Sequence, residues 1–309
     1  MRHRSRVVFM DTPAALTRGE SLPLYEKLRW APDQYLSVVR QPNNQLPLLG
    51  QVEYRPGDRC ARITFVMPED AVSTDGMLTL LEDQMQEAGK RGAFCLRADA
   101  EDQSAELDAL RRSGFTVYAR QRVWRLNSYR KNRDETQQSP NRWTVETDRD
   151  GQTVRSFVNA LVPPLVQAAE QLQDHRGTGL LYEQGGELTA YVRARSGSAG
   201  IVLHPLFHPA AEDVPGLMQA LLNDLKNDDN KPIYLIIRSY QAWLESALDE
   251  LDLQALKSQS VLVKHLAARV SVPVPAMQSL PLETRMPTVS SSTTASLQLI
   301  SEIRGDQTN

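Results

Sequence analysis

The chain has 309 residues. Because a single domain usually contains about 100–200 residues, this length predicts two domains. A formal net charge of -3 gives no field that would recruit nucleic acid or an anionic membrane, and we expect neither as a partner. Apolar runs fall short of the roughly 20 residues that span a bilayer. Two cysteines are too few for a disulfide framework and fit a reducing compartment. The composition therefore predicts a cytoplasmic protein.

In the first half of the chain, strands and helices alternate. The apolar run "ARITFVMP" predicts a strand, and "DGMLTLLEDQMQEAGKRG" has the spacing of an amphipathic helix. A second strand, a second helix ending at Gly114 and the strand "FTVYARQRVWRL" follow. Residues 1–126 are predicted to form one domain with the order β, α, β, α, β.

Two segments contain few apolar side chains. Residues 127–142 contain almost none except Tyr129, which predicts an exposed linker and a domain boundary. Residues 271–309 are rich in Pro, Ser and Thr, which predicts a tail without periodic structure. Near its end, apolar residues at helical spacing in "SLQLISEIR" predict one short helix.

The second half, residues 143–270, repeats this closing order. A strand in "RWTVETDR" comes first and is followed by a helix interrupted at Pro163 and Pro164. A hairpin is predicted around Gly185 and Gly186. A strand, an amphipathic helix, the buried apolar run "KPIYLIIRSY", a further helix and a last strand follow.

The two halves are related by a shift of the numbering. An offset of 138 residues aligns Gln121 with Gln259 and Val123 with Val261, in the closing strand of each half. Together with the shared element order, this alignment predicts that the chain contains one fold twice.

The repeated order, with the turn Ser113, Gly114, Phe115 after a leucine-rich helix, resembles the GNAT superfamily of N-acetyltransferases. The resemblance implies an α+β fold made of two GNAT-like domains, each a mixed, mostly antiparallel sheet flanked by helices. It also implies transfer of an acetyl group from acetyl-CoA to a small-molecule or peptide amine, by direct attack and in at most one repeat. In this family, backbone N–H groups at a helix N-terminus hold the coenzyme pyrophosphate.

The glycine pattern that usually forms this phosphate cradle is weak in both repeats. In the first repeat, Ala71, Thr74 and Gly76 fall on the Arg, Gly and Gly positions, so only Gly76 matches. In the second repeat, Asp213 lies in the loop and Pro215 lacks an N–H. Neither cradle has a nearby Lys or Arg to pair with phosphate.

Backbone donors need no particular side chain, so the resemblance still implies coenzyme-binding residues in the first repeat. These are Val66, Met67, Ser73, Thr74, Asp75 and Gly76. The alternative is that Asp75 only caps the helix.

The catalytic groups are not evident. The tyrosine typical of the family falls on Leu110 and Leu248, so no general acid is identified. His208 is a weak candidate base, and no metal site is expected, because prolines follow both His204 and His208. Two functions stay open: an acetyltransferase, or a degenerate tandem that binds a small molecule or a protein.

Three further groups have both a functional and a structural interpretation. Tyr240 and Trp243 either line an acceptor pocket or belong to the core. Glu183 and Glu187 either bind a cationic substrate or are solvated. Arg120, Arg122 and Arg125 either bind phosphate or lie on a strand face in solvent.

Overall fold

The structure is a computed structural model that describes most of the chain up to residue 266. The described ranges are 6–19, 32–40, 47–126, 143–170, 177–225, 231–248 and 251–266. The predicted linker at 127–142 and the predicted tail and terminal helix at 271–309 lie outside the described residues.

Twelve described strands form one sheet. Their order is β2-β3-β4-β5-β12-β6-β11-β10-β9-β8-β7, and β1 pairs with β4 beside this path. The strands are β1 (Val8–Phe9), β2 (Gln34–Val39), β3 (Leu48–Glu53), β4 (Cys60–Met67), β5 (Cys95–Glu101), β6 (Thr116–Leu126), β7 (Thr144–Val145), β8 (Thr178–Gln184), β9 (Glu187–Ser196), β10 (Ile201–Phe207), β11 (Ile233–Arg238) and β12 (Leu253–His265).

Helices cover both faces of the sheet. They are α1 (Thr12–Arg18), α2 (Asp75–Lys90), α3 (Ala105–Arg112), α4 (Gly151–Leu161), α5 (Pro164–Ala169), α6 (Val214–Asp224) and α7 (Trp243–Ala247). Side chains alternate between faces along β12, so Leu262 packs in one core with α2 and α3, while Val261 and Val263 pack in another with α4 and α5. Helices α6 and α7 lie on the α2 face, and α1 lies on the α4 face.

The closing strand of each half pairs with the other half. Strand β12 lies between β5 and β6, and β6 in turn pairs with β11. Gln121 of β6 lies opposite Gln259 of β12 in this antiparallel pair, and its Nε2 donates to Gln259 Oε1 at 2.8 Å. The 138-residue offset aligns these same two residues. The local two-fold axis that relates the two strands therefore passes between Gln121 and Gln259.

Contacts group residues Met1–Ala268 into one compact unit. The division into domains at 1–126 and 143–270 stays a prediction, because its linker is among the residues not described. The described strands of both halves form a single sheet.

The predicted α+β fold with a mixed, mostly antiparallel sheet is confirmed. Parallel pairing occurs between β4 and β5 and between β10 and β11, whereas the other described pairs are antiparallel. Gly185 and Gly186 both have positive φ values, 62° and 85°, as a tight hairpin turn between β8 and β9 requires. The last predicted helix begins later than expected, at Trp243, because residues 239–241 form a 3-10 turn before α7.

The two cysteines lie opposite each other on neighbouring strands. Cys60 of β4 is in register with Cys95 of β5, and a disulfide joins them. The number of cysteines therefore carries no argument for a reducing compartment.

Candidate functional site: a central arginine-lined cavity

A cavity of about 180 Å³ lies over the centre of the sheet, on the face covered by α1, α4 and α5. Strands β4 and β5 of the first half line it together with β9, β10 and β11 of the second half. Because the closing strands are exchanged, both halves contribute side chains to one site.

Eight of the twenty residues that line the central cavity are charged. They are the cations Arg62, Arg97, Arg193, Arg195 and Arg238, and the anions Asp11, Asp99 and Glu170. Five guanidiniums face three carboxylates, which leaves a formal excess of two positive charges. Such an excess in a partly enclosed site favours an anionic ligand.

Glu170, directly after α5, connects the two halves across the cavity. Its Oε1 accepts from Arg238 Nη2 at 2.6 Å, from Arg97 Nη2 at 3.2 Å and from the Tyr118 hydroxyl at 2.7 Å. Arg97 belongs to β5 and Arg238 to β11, so one carboxylate oxygen holds guanidiniums of both halves in place.

This cluster keeps its charges. Burial alone would raise the pKa of Glu170, but the guanidiniums of Arg238 and Arg97, with the hydrogen bond from Tyr118, lower that pKa to about 2. Burial raises the pKa of Tyr118 above its usual value, and Arg97 only partly opposes this. Glu170 is therefore a carboxylate and Tyr118 a neutral hydrogen-bond donor across the physiological pH range.

A second buried network lies below the start of α1. Asp99 Oδ2 accepts from the backbone N–H of Thr12 at 3.0 Å and from Gln121 Nε2 at 3.4 Å. Thr12 Oγ1 donates to Gln259 Oε1 at 2.9 Å. Burial, with the neighbouring carboxylate of Asp11, raises the pKa of Asp99. The network ties α1 to the two strands that the halves exchange.

His204 of β10 lines the cavity beside the arginines. Burial, with the positive charge of Arg238, lowers the pKa of His204 to about 3, so the imidazole is neutral at physiological pH. Neutral imidazole adds no charge to the site and offers one donor and one acceptor nitrogen.

Several arginine donors in the cavity lack acceptors among the described residues. The Nε of Arg97 and the Nη1 of Arg238 are buried and make no hydrogen bond there. Arg195, two residues after Arg193 on β9, forms neither a hydrogen bond nor an ion pair with any described residue. All three arginine side chains line the cavity.

The first predicted cradle is partly occupied by the protein itself. Strands β4 and β5 pair over three residues, from Cys60 opposite Cys95 to Arg62 opposite Arg97, and the described pairing then stops. Beyond this point the N-terminal segment lies between them, with Met10 N donating to Thr64 O at 2.9 Å and Asp99 N donating to Met10 O at 2.8 Å. Strand β1 continues this contact along β4.

The predicted coenzyme-binding residues lie at and before the start of α2, outside the cavity lining. Val66 and Met67 are buried in β4, and Val66 pairs with Val8 of β1. Ser73, Thr74, Asp75 and Gly76 lie together at the N-terminus of α2. Thr74 is the N-cap residue and its side chain makes no capping bond, so Asp75 does not have the capping role that we considered.

The second cradle is closed by its own carboxylate. Asp213 adopts a left-handed conformation with φ of 50°, and its side chain accepts from Gly216 N at 3.1 Å at the N-terminus of α6. At the end of β10, four residues beyond its last residue paired with β11, Gln241 Oε1 accepts from Phe207 N at 3.0 Å. An anion at this helix end would have to displace Asp213.

His208 is exposed beyond the end of β10, and its Nδ1 accepts from Ala210 N at 3.2 Å, so nothing places it in the cavity. Tyr240 does line the cavity, whereas Trp243 packs against the core of the second half. Glu183 and Glu187 are exposed at the hairpin end.

The three arginines of β6 that we considered as phosphate-binding residues do not line the cavity. Arg120 pairs with Asp102 at 3.6 Å, Arg122 pairs with Glu245 at 2.6 Å, and Arg125 is exposed. Their location supports the structural interpretation of these side chains.

Sequence reasoning missed the arginines of the cavity. A signal was present, because Arg97 interrupts the apolar strand "AFCLRAD", Arg238 ends the run "IYLIIR", and Arg193 and Arg195 alternate along β9. A charged side chain inside an otherwise apolar strand is rarely buried without a partner or a ligand.

Comparison with protein-family models finds no match, and comparison with curated proteins finds none either. Among solved structures, a GCN5-related N-acetyltransferase from Sphaerobacter thermophilus aligns with a TM-score of 0.50 and 11% identity, over 84% of this chain and 96% of that one. The chain has the GNAT fold.

Two further solved structures are similar to this GNAT-fold chain. A tandem GNAT protein from the clavulanic acid biosynthesis pathway aligns at 13% identity over 82% of this chain and 92% of that one, with a TM-score of 0.47. A GCN5-related N-acetyltransferase from Kribbella flavida aligns at 11% identity over 70% and 86%, also with a TM-score of 0.47. Among the described residues, no helix combines the length and apolar character needed to cross a membrane.

Proposed function

We propose that this GNAT-fold protein is a small-molecule binding module whose functional site is the central cavity, and that neither coenzyme cradle supports acyl transfer. The observation that carries this proposal is that residues of the N-terminal segment occupy the gap where the parallel strands β4 and β5 diverge. In the first half, residues 8–10 bond to β4 and β5 there. In the second half, Asp213 caps α6, and Gln241 Oε1 accepts from Phe207 N four residues beyond the last paired residue of β10.

The distribution of charge supports the same proposal. Coenzyme A carries phosphates that prefer cationic partners, yet residues 63–89 contain no Lys or Arg, and Asp75 is exposed at the start of α2. The cationic groups lie instead around the central cavity. A negatively charged ligand is therefore better accommodated in the cavity than at either helix terminus.

The second candidate function is acetyl transfer from acetyl-CoA to a small-molecule or peptide amine at the first cradle. It is favoured by α2, a helix of 16 residues whose N-cap side chain makes no capping bond, since free backbone N–H groups at a helix start bind phosphate. At most the first repeat would be competent, because Asp213 caps α6. A cytoplasmic location stays a prediction.

Calorimetric titration of acetyl-CoA into the full-length protein separates the two candidates. We expect no saturable binding up to millimolar coenzyme. The variants are Gly76→Leu, which obstructs the start of α2, and the matched control Gly89→Leu near the end of the same helix. Binding that Gly76→Leu weakens and Gly89→Leu leaves unchanged would overturn the proposal and justify a search for an amine substrate.

A further inference from the structure

We propose that the central cavity binds a compact organic dianion, with its phosphate or carboxylate oxygens on Arg97, Arg195 and Arg238. The inference rests on the proposed function, since it assigns a ligand class to the same cavity. It follows from the charge balance, the unfilled donors, the apolar wall and the volume of the site.

The charge balance sets the ligand charge. The guanidiniums of Arg97, Arg195 and Arg238 carry three positive charges, and their ion-pair partner among the described residues, Glu170, carries one negative charge. The excess is two positive charges, and neutral His204 adds none. A dianion neutralises this excess, whereas a monoanion leaves one positive charge in a partly enclosed site.

The unfilled donors set the ligand chemistry. Arg97 uses Nη2 on Glu170 and leaves its buried Nε without a partner among the described residues, and Arg238 uses Nη2 and leaves its buried Nη1. A guanidinium presents its donors in a planar fork that matches two oxygens of a carboxylate or phosphate. Oxygens of such a ligand supply the missing acceptors, which no neutral apolar molecule does.

Glu170 positions this arrangement without taking part in binding. It holds Arg97 and Arg238, which come from different halves, on one carboxylate oxygen. The remaining donors of the two guanidiniums are thereby fixed before a ligand arrives, and less ordering entropy is lost on binding.

Arg195 adds a cation that is not committed to any described residue. It follows Arg193 at the spacing that places both on one face of β9, and it lines the cavity. Replacing Arg195 leaves no buried carboxylate without a partner, so we expect little change in the stability of the folded protein.

The wall opposite the strands sets the size and character of the rest of the ligand. Val158, Val162 and Val166 of the α4–α5 segment line this side. A cavity of roughly 150 Å³ holds a benzene molecule, and this one has about 180 Å³. The ligand is therefore a short carbon skeleton with its charge on one phosphate or two carboxylates.

The test uses calorimetric titration of the full-length protein at low ionic strength with three probes. At about pH 8, succinate and inorganic phosphate are both mainly small dianions, whereas butyrate has the same number of carbons as succinate but one charge. We expect one binding site for succinate or phosphate, at least tenfold weaker binding of butyrate, and weaker binding of each at higher salt. The tighter of the two dianions identifies the carboxylate or the phosphate as the preferred group.

Two matched variants locate the site. Arg195→Gln removes a cation of the cavity, and Arg125→Gln removes an exposed cation of the same sheet that does not line it. We expect Arg195→Gln to weaken dianion binding at least tenfold and Arg125→Gln to leave it unchanged, with equal melting temperatures for the two apo variants. Absence of binding by both dianions, or equal effects of the two variants, overturns the inference.

The failure of this inference is distinguishable from the failure of the proposed function. The proposed function fails when acetyl-CoA binds and Gly76→Leu weakens that binding. The dianion inference fails when the dianions do not bind or bind independently of Arg195. The two readouts use different ligands and different variants, so each outcome is assigned to one proposal.

Discussion

Glu170 is the acceptor for two guanidiniums of the cavity, and its replacement by glutamine should destabilise the protein strongly. Glu170→Gln keeps the shape of the side chain and removes the charge that pairs with Arg97 and Arg238. A buried cation that loses its partner lowers the free energy of unfolding much more than the loss of an exposed ion pair does, because water cannot solvate the buried charge.

The magnitude follows from the pKa of the carboxyl group. That pKa falls from 4.5 to about 2 on folding, and each unit corresponds to about 1.4 kcal/mol. The free energy of unfolding should therefore fall by about 3 kcal/mol at pH 7 in Glu170→Gln, at the lower end of the roughly 3–5 kcal/mol lost when one partner of a buried pair is removed. The lower end is appropriate because the Glu170 side chain is 24% exposed.

Urea denaturation at several pH values is the assay. The folded pKa lies below the unfolded one, so the stabilisation by Glu170 is fully present above about pH 4.5 and is lost as the pH falls toward 2. The difference between wild type and Glu170→Gln should therefore shrink below pH 4.5. Glu101→Gln, which breaks the exposed pair with Lys257, is the control and should have a much smaller effect. Equal losses for the two variants, or a difference that does not change with pH, would refute the electrostatic reasoning.

Three other predictions concern the centre of the sheet, the cavity histidine and the docking of α1. Gln121→Leu removes the hydrogen bond to Gln259 and should lower the free energy of unfolding by about 1–3 kcal/mol in urea titrations; an unchanged midpoint would contradict it. The pKa of His204 is depressed from 6.5 to about 3, so wild type should lose stability as the pH falls between these values. His204→Gln should lose less over the same range, and parallel pH profiles would count against this. Gly197→Ala places a Cβ 2.3 Å from a backbone oxygen of α1 and should lower the melting temperature, whereas Gly151→Ala, with open space around it, should not.

Local patterns predicted much of the fold because they depend on neighbouring residues. Gly185 and Gly186 indicated the hairpin that they form, since positive φ angles at a tight turn favour glycine. Pro163 divided one amphipathic pattern into α4 and α5, because proline cannot donate within a helix. The 138-residue offset aligned Gln121 with Gln259, which lie opposite each other.

The candidate site was less predictable because its side chains come from strands that are distant in sequence. Glu170 meets Arg97 and Arg238, and no local spacing relates these three residues. The family resemblance directed attention to Gly76 at the start of α2, whereas the cavity lies over the sheet between the two halves. The pairing of β12 with β5 and β6, and of β6 with β11, brings the contributing strands together, and periodicity does not determine which strands pair.

The exchange of closing strands also affects how the protein is made. Asp102, just past the end of β5, bonds through its side chain to Ser260 of β12, a residue 158 positions later in the chain. At a synthesis rate of roughly 5–20 residues per second, about 8–30 seconds pass before that partner leaves the ribosome. During this interval the nascent first half has an open strand edge at β5, where unpaired backbone groups can capture another chain. Slow synthesis of the second half should therefore increase aggregation of this protein during translation more than it would for two domains that fold independently.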